Sequence, residues 1–354
     1  MRIYFLSFIL FVLFPSLVIG QFGYGKISEI DALKTRKLIV IVEEPQERVI
    51  KKLQRKKQID KIEVYKKAIN DYNSKMKAVV EKFWWFSKNG FEYKTFKEAN
   101  ELRKNKETDK EYAVLYCVTA AMYTSAFSGN SGVVESSGLD WTADIEDQSK
   151  DRDFYDSYTQ MKVSLLDDLN KVWKPIWYVA LPDIFPTTTS LIFGMQNLQV
   201  YMDFRVRKKE NKEDISAMGE LKASVKKNHP NLNTKTLLLR EDILAKGMDK
   251  DKIAAVYPYK FEIVNKERMD SIVFSSDDNY LYALVIPSIV ANSRANEVIY
   301  IDEIFLASNN EVCAYSMPNM AAHVAELFAG VSRVGNGKKN IGEKNLKAFV
   351  SGGD

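Results

Sequence analysis

Apolar residues recur along this chain in two rhythms. Short runs such as "LIVIV" (38–42), "AVLY" (113–116) and "LYALVI" (281–286) are apolar at nearly every position. Such runs suit strands covered on both faces. Between them, apolar residues recur every three or four positions, the spacing of a helix with one buried stripe. The longest such stripe is Ile62, Tyr65, Ile69, Tyr72, Met76, Val79 and Phe83.

That pattern predicts one long helix over 46–85, opening near Pro45, where proline suits a first turn. Straight, it would run roughly 60 Å, against about 20 Å for a six-residue strand. The pattern therefore predicts an extended arm packed on another helix, with a bend near 55–58, where no apolar residue keeps the register. A helix broken there and folded back onto its own domain is the competing expectation.

Two stretches resemble each other without a gap. Residues 91–117, beginning "FEYKTF", align with 261–287, beginning "FEIVNK", so that Tyr112-Ala113 falls on Tyr282-Ala283. Upstream, "TRKLIVIVEE" (35–44) matches "TKTLLLRED" (234–242). Each set reads strand, helix, strand, helix, strand. The expected fold class is α/β, with mostly parallel sheets built from two degenerate βαβαβ repeats. The first repeat carries the long helical insertion. A β-hairpin turning at "SNNE" (308–311) follows the second.

This gives a domain plan of a leader (1–20), a first repeat (21–206), a second repeat (207–334) and a flexible Gly- and Lys-rich tail (335–354). Residues 119–157 read as a long Gly/Ser/Asp loop, followed by helices at 158–172 and 191–205, a strand at 176–182, and a late helix at 319–329.

The first twenty residues form an apolar block behind Arg2, with Val18 and Gly20 placed for signal-peptide cleavage. They imply export, to a periplasm or beyond the cell. A retained anchor is the alternative, and no later segment is long and apolar enough to span a bilayer. Charge is balanced, with 51 basic and 47 acidic residues. The basic runs at 51–57 and 205–209 read as solvated faces, so nucleic acid is not expected as a partner. Cys117 and Cys313 lie in apolar runs and read as buried thiols, with one disulfide between them as the alternative.

Candidate chemistry is sparse. Neither His229 nor His323 has metal-ligand spacing, and "GNSG" (129–132) is too short to mark a nucleophilic serine. The sequence identifies no cofactor. Glu43-Glu44 and Glu241-Asp242 each end a predicted parallel strand, a usual ligand position, where paired carboxylates can hold a cation or move protons. Asp140, Asp144 and Glu146, with Asp147, are acidic loop residues that resemble a calcium loop only in composition. Trp84 and Trp85 are adjacent and cannot both face the same way on a helix; the expectation is that both cap the core where helix meets strand, and the alternative is that one is exposed as a platform for a sugar ring or partner chain. The reading that results is a non-enzymatic exported protein acting by binding or assembly, with a protein partner or self-association through the long helix. A metal-assisted hydrolase built on the strand-end carboxylates is the rival, and two ligand-binding lobes are a third possibility.

Overall fold

The structure, a computed structural model, describes residues 25–124, 131–135, 138–139, 154–169, 175–211, 217–291, 296–317 and 340–352. The expected leader, most of the expected acidic loop, and His323 with the helix expected at 319–329 lie outside the described residues. The described residues divide into two compact units, within 21–207 and 208–354.

The first unit opens with α1 (Ile27–Thr35), which buries Ile30 and Leu33. Strand β1 (Lys37–Val42) follows, and its Leu38, Ile39, Val40 and Ile41 are all buried. It lies between two parallel neighbours, β2 (Phe91–Thr95) and β3 (Tyr112–Thr124), with Leu38 opposite both Phe91 and Ala113. The segment from β1 to β2 is two helices, α2 (Glu47–Arg55) and α3 (Ile59–Phe83). The chain turns between them through Lys57, at φ 55, a left-handed conformation uncommon outside glycine.

This break overturns the extended-arm expectation. Val49 and Leu53 of α2 are buried, as are Ile62, Tyr65, Ile69, Tyr72, Met76 and Val79 of α3. The Tyr65 hydroxyl accepts from the Gln46 amide at 2.9 Å, and Asn73 clasps the end of β1. The stripe residues are buried within their own unit.

Helix α4 (Phe96–Lys104) connects β2 to β3. Thr95 caps it: Thr95 Oγ1 accepts from the Glu98 amide, and the Glu98 carboxylate accepts from the Thr95 amide. This reciprocal box satisfies two donors at the helix start.

Beyond β3 the sheet changes direction. Strand β4 (Ser131–Glu135) pairs antiparallel with Ala120–Thr124 of β3. Strand β5 (Phe154–Leu165) pairs antiparallel along most of β3, and β6 (Trp177–Leu181) pairs antiparallel with β5. The order is β2-β1-β3-β5-β6, a mixed sheet and not the mostly parallel one expected. Part of the expected 119–157 loop is strand, and the helix expected at 158–172 is largely β5. Helix α5 (Thr188–Asn211) rests on this sheet through Gly194. A Cβ there would meet Leu181 Cδ2 at 2.6 Å and Met161 Sδ at 3.2 Å.

The second unit contains α6 (Ala217–Asn228), β7 (Thr236–Arg240), α7 (Lys250–Val256), β8 (Phe261–Val264) and α8 (Lys266–Ser275). Strands β9 (Tyr280–Ala291), β10 (Asn296–Leu306) and β11 (Val312–Ser316) follow, then α9 (Glu343–Ser351). Asn265 caps α8 by accepting from the Arg268 amide. β7 is parallel to β8 and β9; β10 and β11 are antiparallel, and the sheet order is β11-β10-β9-β7-β8. Residues 296–316 form the expected hairpin.

Both sheets share one strand order and one register at their parallel core: Leu38 faces Phe91, and Leu237 faces Phe261. The register shifts the ungapped alignment by two residues in the third strand. Tyr112 stands opposite Lys37 as Tyr280 stands opposite Thr236, so Tyr112 corresponds to Tyr280 and not to Tyr282.

The tail is ordered where it is described. Ile341 pairs with the backbone of Ile243 and Ala245, and Leu346 and Phe349 of α9 are fully buried in the second core. His229 Nε2 lies 3.1 Å from the Phe349 carbonyl. Among the described residues no helix is long and apolar enough to cross a membrane.

Candidate functional site

Each strand-end pair of carboxylates is split by its surroundings. At the end of β1, the Glu43 amide donates to Asn73 Oδ1 and the Asn73 amide donates to the Glu43 carbonyl, each at 2.9 Å. The Glu43 carboxylate turns inward and accepts from the Leu139 amide at 3.2 Å. Gly138 makes room for it, since a Cβ there would lie 2.9 Å from Glu43 Oε1. Burial pushes this carboxyl up to about 7. Glu44, next in sequence, is exposed.

Tyr72 of α3 and Cys117 of β3 lie close enough to Glu43 to feel its charge, and burial raises both; the thiol is pushed up to about 12. A thiol held protonated is a poor nucleophile. Cys313 is likewise pushed up to about 12 by burial, and both cysteines are free. The two thiols are unpaired core residues, as favoured above.

In the second unit Glu241 and Asp242 are both exposed. Asp242 is engaged by buried Arg240, at 2.9 and 3.1 Å, and by Lys266 at 3.3 Å. The second unit instead buries a different acid. Asp302, in the middle of β10, is 3% exposed. Its Oδ2 accepts from Asn345 of α9, its Oδ1 is buried with no hydrogen-bond partner, and burial pushes the carboxyl up to about 8. The adjacent acids Asp302 and Glu303 inside the apolar run "VIYIDEIFL" were its sequence signal.

Asp140, Asp144 and Glu146 lie outside the described residues. Among the described residues no group of three or more histidine, cysteine and acidic side chains is placed to hold a metal ion.

The two tryptophans are placed differently from each other. Trp84 is half-buried, whereas Trp85 is 52% exposed. The loop that carries them is pinned on all sides. Gln199 of α5 is fully buried; its Oε1 accepts from the Trp85 amide at 2.6 Å and the Phe86 amide at 2.9 Å. Its Nε2 donates to the Phe83 carbonyl at 2.9 Å and to the Met195 carbonyl at 3.1 Å. Ser87 Oγ donates to the Arg36 carbonyl, Asn89 donates to the Thr35 carbonyl, and the Leu38 amide donates to the Gly90 carbonyl. Phe86 is buried, with its ring centre 5.8 Å from that of Trp85. The sequence marked the two indoles; it gave no sign of Gln199, a polar residue 114 positions from Trp85.

Searches for relatives match this chain to no protein-family model, no curated protein and no solved structure.

Proposed function

We propose that this chain is an exported, non-enzymatic protein that acts by binding, with its contact surface centred on Trp85. The observation that carries this reading is the pinned loop. Five hydrogen-bonding groups between Phe83 and Ser87 are satisfied internally, yet one of the two indoles, Trp85, is 52% exposed. A rigid exposed aromatic loses little conformational entropy on docking, and tryptophan dominates contact energies at interfaces. The leader block supports export. The rival hydrolase is weakened because Glu43 turns inward while Glu44 is exposed, and Asp242 is engaged by Arg240 and Lys266.

The reading of one module made twice belongs to this proposal. It is supported by the common strand order, by the Phe-Glu that opens both β2 and β8, and by the capped helix after each. Further support comes from the fourth strands. Lys162 stands opposite Tyr178 and Glu303 opposite Tyr315, at matching register positions. On this view the copies diverged at their surfaces, and only the first gained helices α2 and α3.

Hydroxyl-radical footprinting tests the contact surface. The full chain, mixed with the envelope fraction of its source cells, should show protection at Trp85. Trp85→Ala should leave the folding midpoint within about 0.5 kcal/mol of the parent, as for other surface changes. Protection confined to other surfaces, with Trp85 as reactive as in the isolated chain, sinks the reading.

A further inference from the structure

The basic run of residues 51–57 lies at the corner where α2 turns into α3. We propose that this corner docks on an anionic phospholipid surface, with Arg55, Lys56 and Lys57 among the headgroups and Ile59 inserted between them. It is a second contact, separate from the one centred on Trp85.

Charge comes first. Residues 46–67 hold nine basic and three acidic side chains, six charges in excess. The whole chain has an excess of four, so the remainder is on balance slightly acidic. The acids of the stretch are inside that count: Glu47 is paired with Lys51, Glu63 with Lys66, and the third is Asp60. Lys52, Lys56 and Lys61 have further partners of their own; the excess holds with every acid of the stretch set against a base. Placement comes second. Helix α2 ends at Arg55, the chain turns through Lys56 and Lys57, and α3 begins at Ile59. Residues 54–57 and 59–60 are all exposed. Third, the corner carries bare aliphatic surface. Among the described residues the two most exposed large apolar side chains are Val64, at 60%, and Ile59, at 57%. Both lie on the first two turns of α3, off the buried stripe through Ile62, Tyr65 and Ile69. Together these features favour a membrane over other anionic partners. Five of the six bases in 51–61 are lysine, a residue depleted at protein interfaces. Lysine is abundant on helices that lie on membranes, where neighbouring apolar side chains enter the headgroup layer. Nucleic acid gains from the bases alone and gives an exposed isoleucine nothing to enter.

The test is co-sedimentation of the full chain with phosphatidylcholine vesicles, with and without phosphatidylglycerol. The quantity read is the gain in affinity for the anionic vesicles over the neutral ones, which cancels any binding through the apolar leader block. One variant combines Arg55→Gln, Lys56→Gln and Lys57→Asn, asparagine being tolerant of the left-handed turn. The others are Ile59→Ser, Trp85→Ala and, as a control, Val200→Ser, which alters an exposed aliphatic of α5. Each is checked for an unchanged melting curve. The parent should show a gain that added salt reduces. The three-base change should cut that gain about tenfold or more. Ile59→Ser should weaken binding to the anionic vesicles several-fold, whereas Val200→Ser and Trp85→Ala should leave the gain unchanged. A parent with no gain, or a gain that survives the three-base change, overturns the proposal. Binding unaffected by Ile59→Ser overturns the insertion, and equal binding of dextran sulfate then replaces the membrane with a soluble polyanion. A gain lost in Trp85→Ala and kept in the three-base variant moves the lipid contact to the tryptophan loop and overturns this one.

Discussion

Asp302 shows how one side chain sets a pH response. Its carboxyl is buried beneath α9, with one oxygen bonded to Asn345 and the other unpaired. Burial lifts it from an ordinary 3.8 to about 8. The unfolded chain therefore gives up this proton first. Stability is fullest below the ordinary carboxylate range and falls as pH climbs toward 8, by at most roughly 1.4 kcal/mol per pH unit. Glu43 and Glu303, both lifted to about 7 by burial, act in the same direction. Urea midpoints measured from about pH 5 to 8 should fall in the parent and fall less steeply in Asp302→Asn. An unchanged slope would show that this carboxyl does not titrate as described. At this scale the sequence was only partly readable. It picked out Glu43 and Glu44 as a pair, because adjacency is all a sequence records. Their opposite environments come from Gly138, Leu139 and Asn73, none of which is near Glu43 in the chain.

Among elements, the apolar runs located β1, β3, β7 and β9, because a strand covered on both faces has few other ways to be written. Strand β5 was misread as a helix for a physical reason. It buries Thr159, Gln160, Lys162 and Ser164, so the alternation that marks a strand is interrupted by polar residues on both faces. Tertiary context overrode local pattern there. The long helix was readable in its stripe and not in its placement: the same apolar spacing serves a projecting arm and a helix laid over a sheet. The burial of the stripe in both helices flanking Lys57 decided between them. The junction of α3 with the tryptophan loop depends on Gln199. Gln199→Ala removes four hydrogen bonds and leaves three loop groups short of partners. It should cost about 3 kcal/mol in chemical denaturation and increase acrylamide quenching of tryptophan emission. A cost below about 1 kcal/mol would show that the loop does not depend on this clamp.

At the scale of the whole molecule, each unit has its own sheet and core. Mostly parallel pairing was expected because apolar-on-both-faces strands are typical of parallel sheets. The same property holds for a central strand of a mixed sheet, so apart from the β10–β11 hairpin the antiparallel pairing was not readable from composition. The tail was misjudged for its glycines and lysines, although Leu346, Phe349 and Val350 already carried helical spacing. Phe349→Ala should cost about 3–5 kcal/mol. Hydrogen exchange should show lost protection in β7, β9 and β10, with β1 and β3 unaffected; equal loss in both units would show that they open together. The burial of Leu346 and Phe349 also bears on biosynthesis. A nascent chain that has emerged only as far as residue 339 holds β7 to β11 without the helix that covers them. The second unit therefore matures only after residues 341–351 are released, and a product cut short before them presents bare apolar surface to chaperones and proteases.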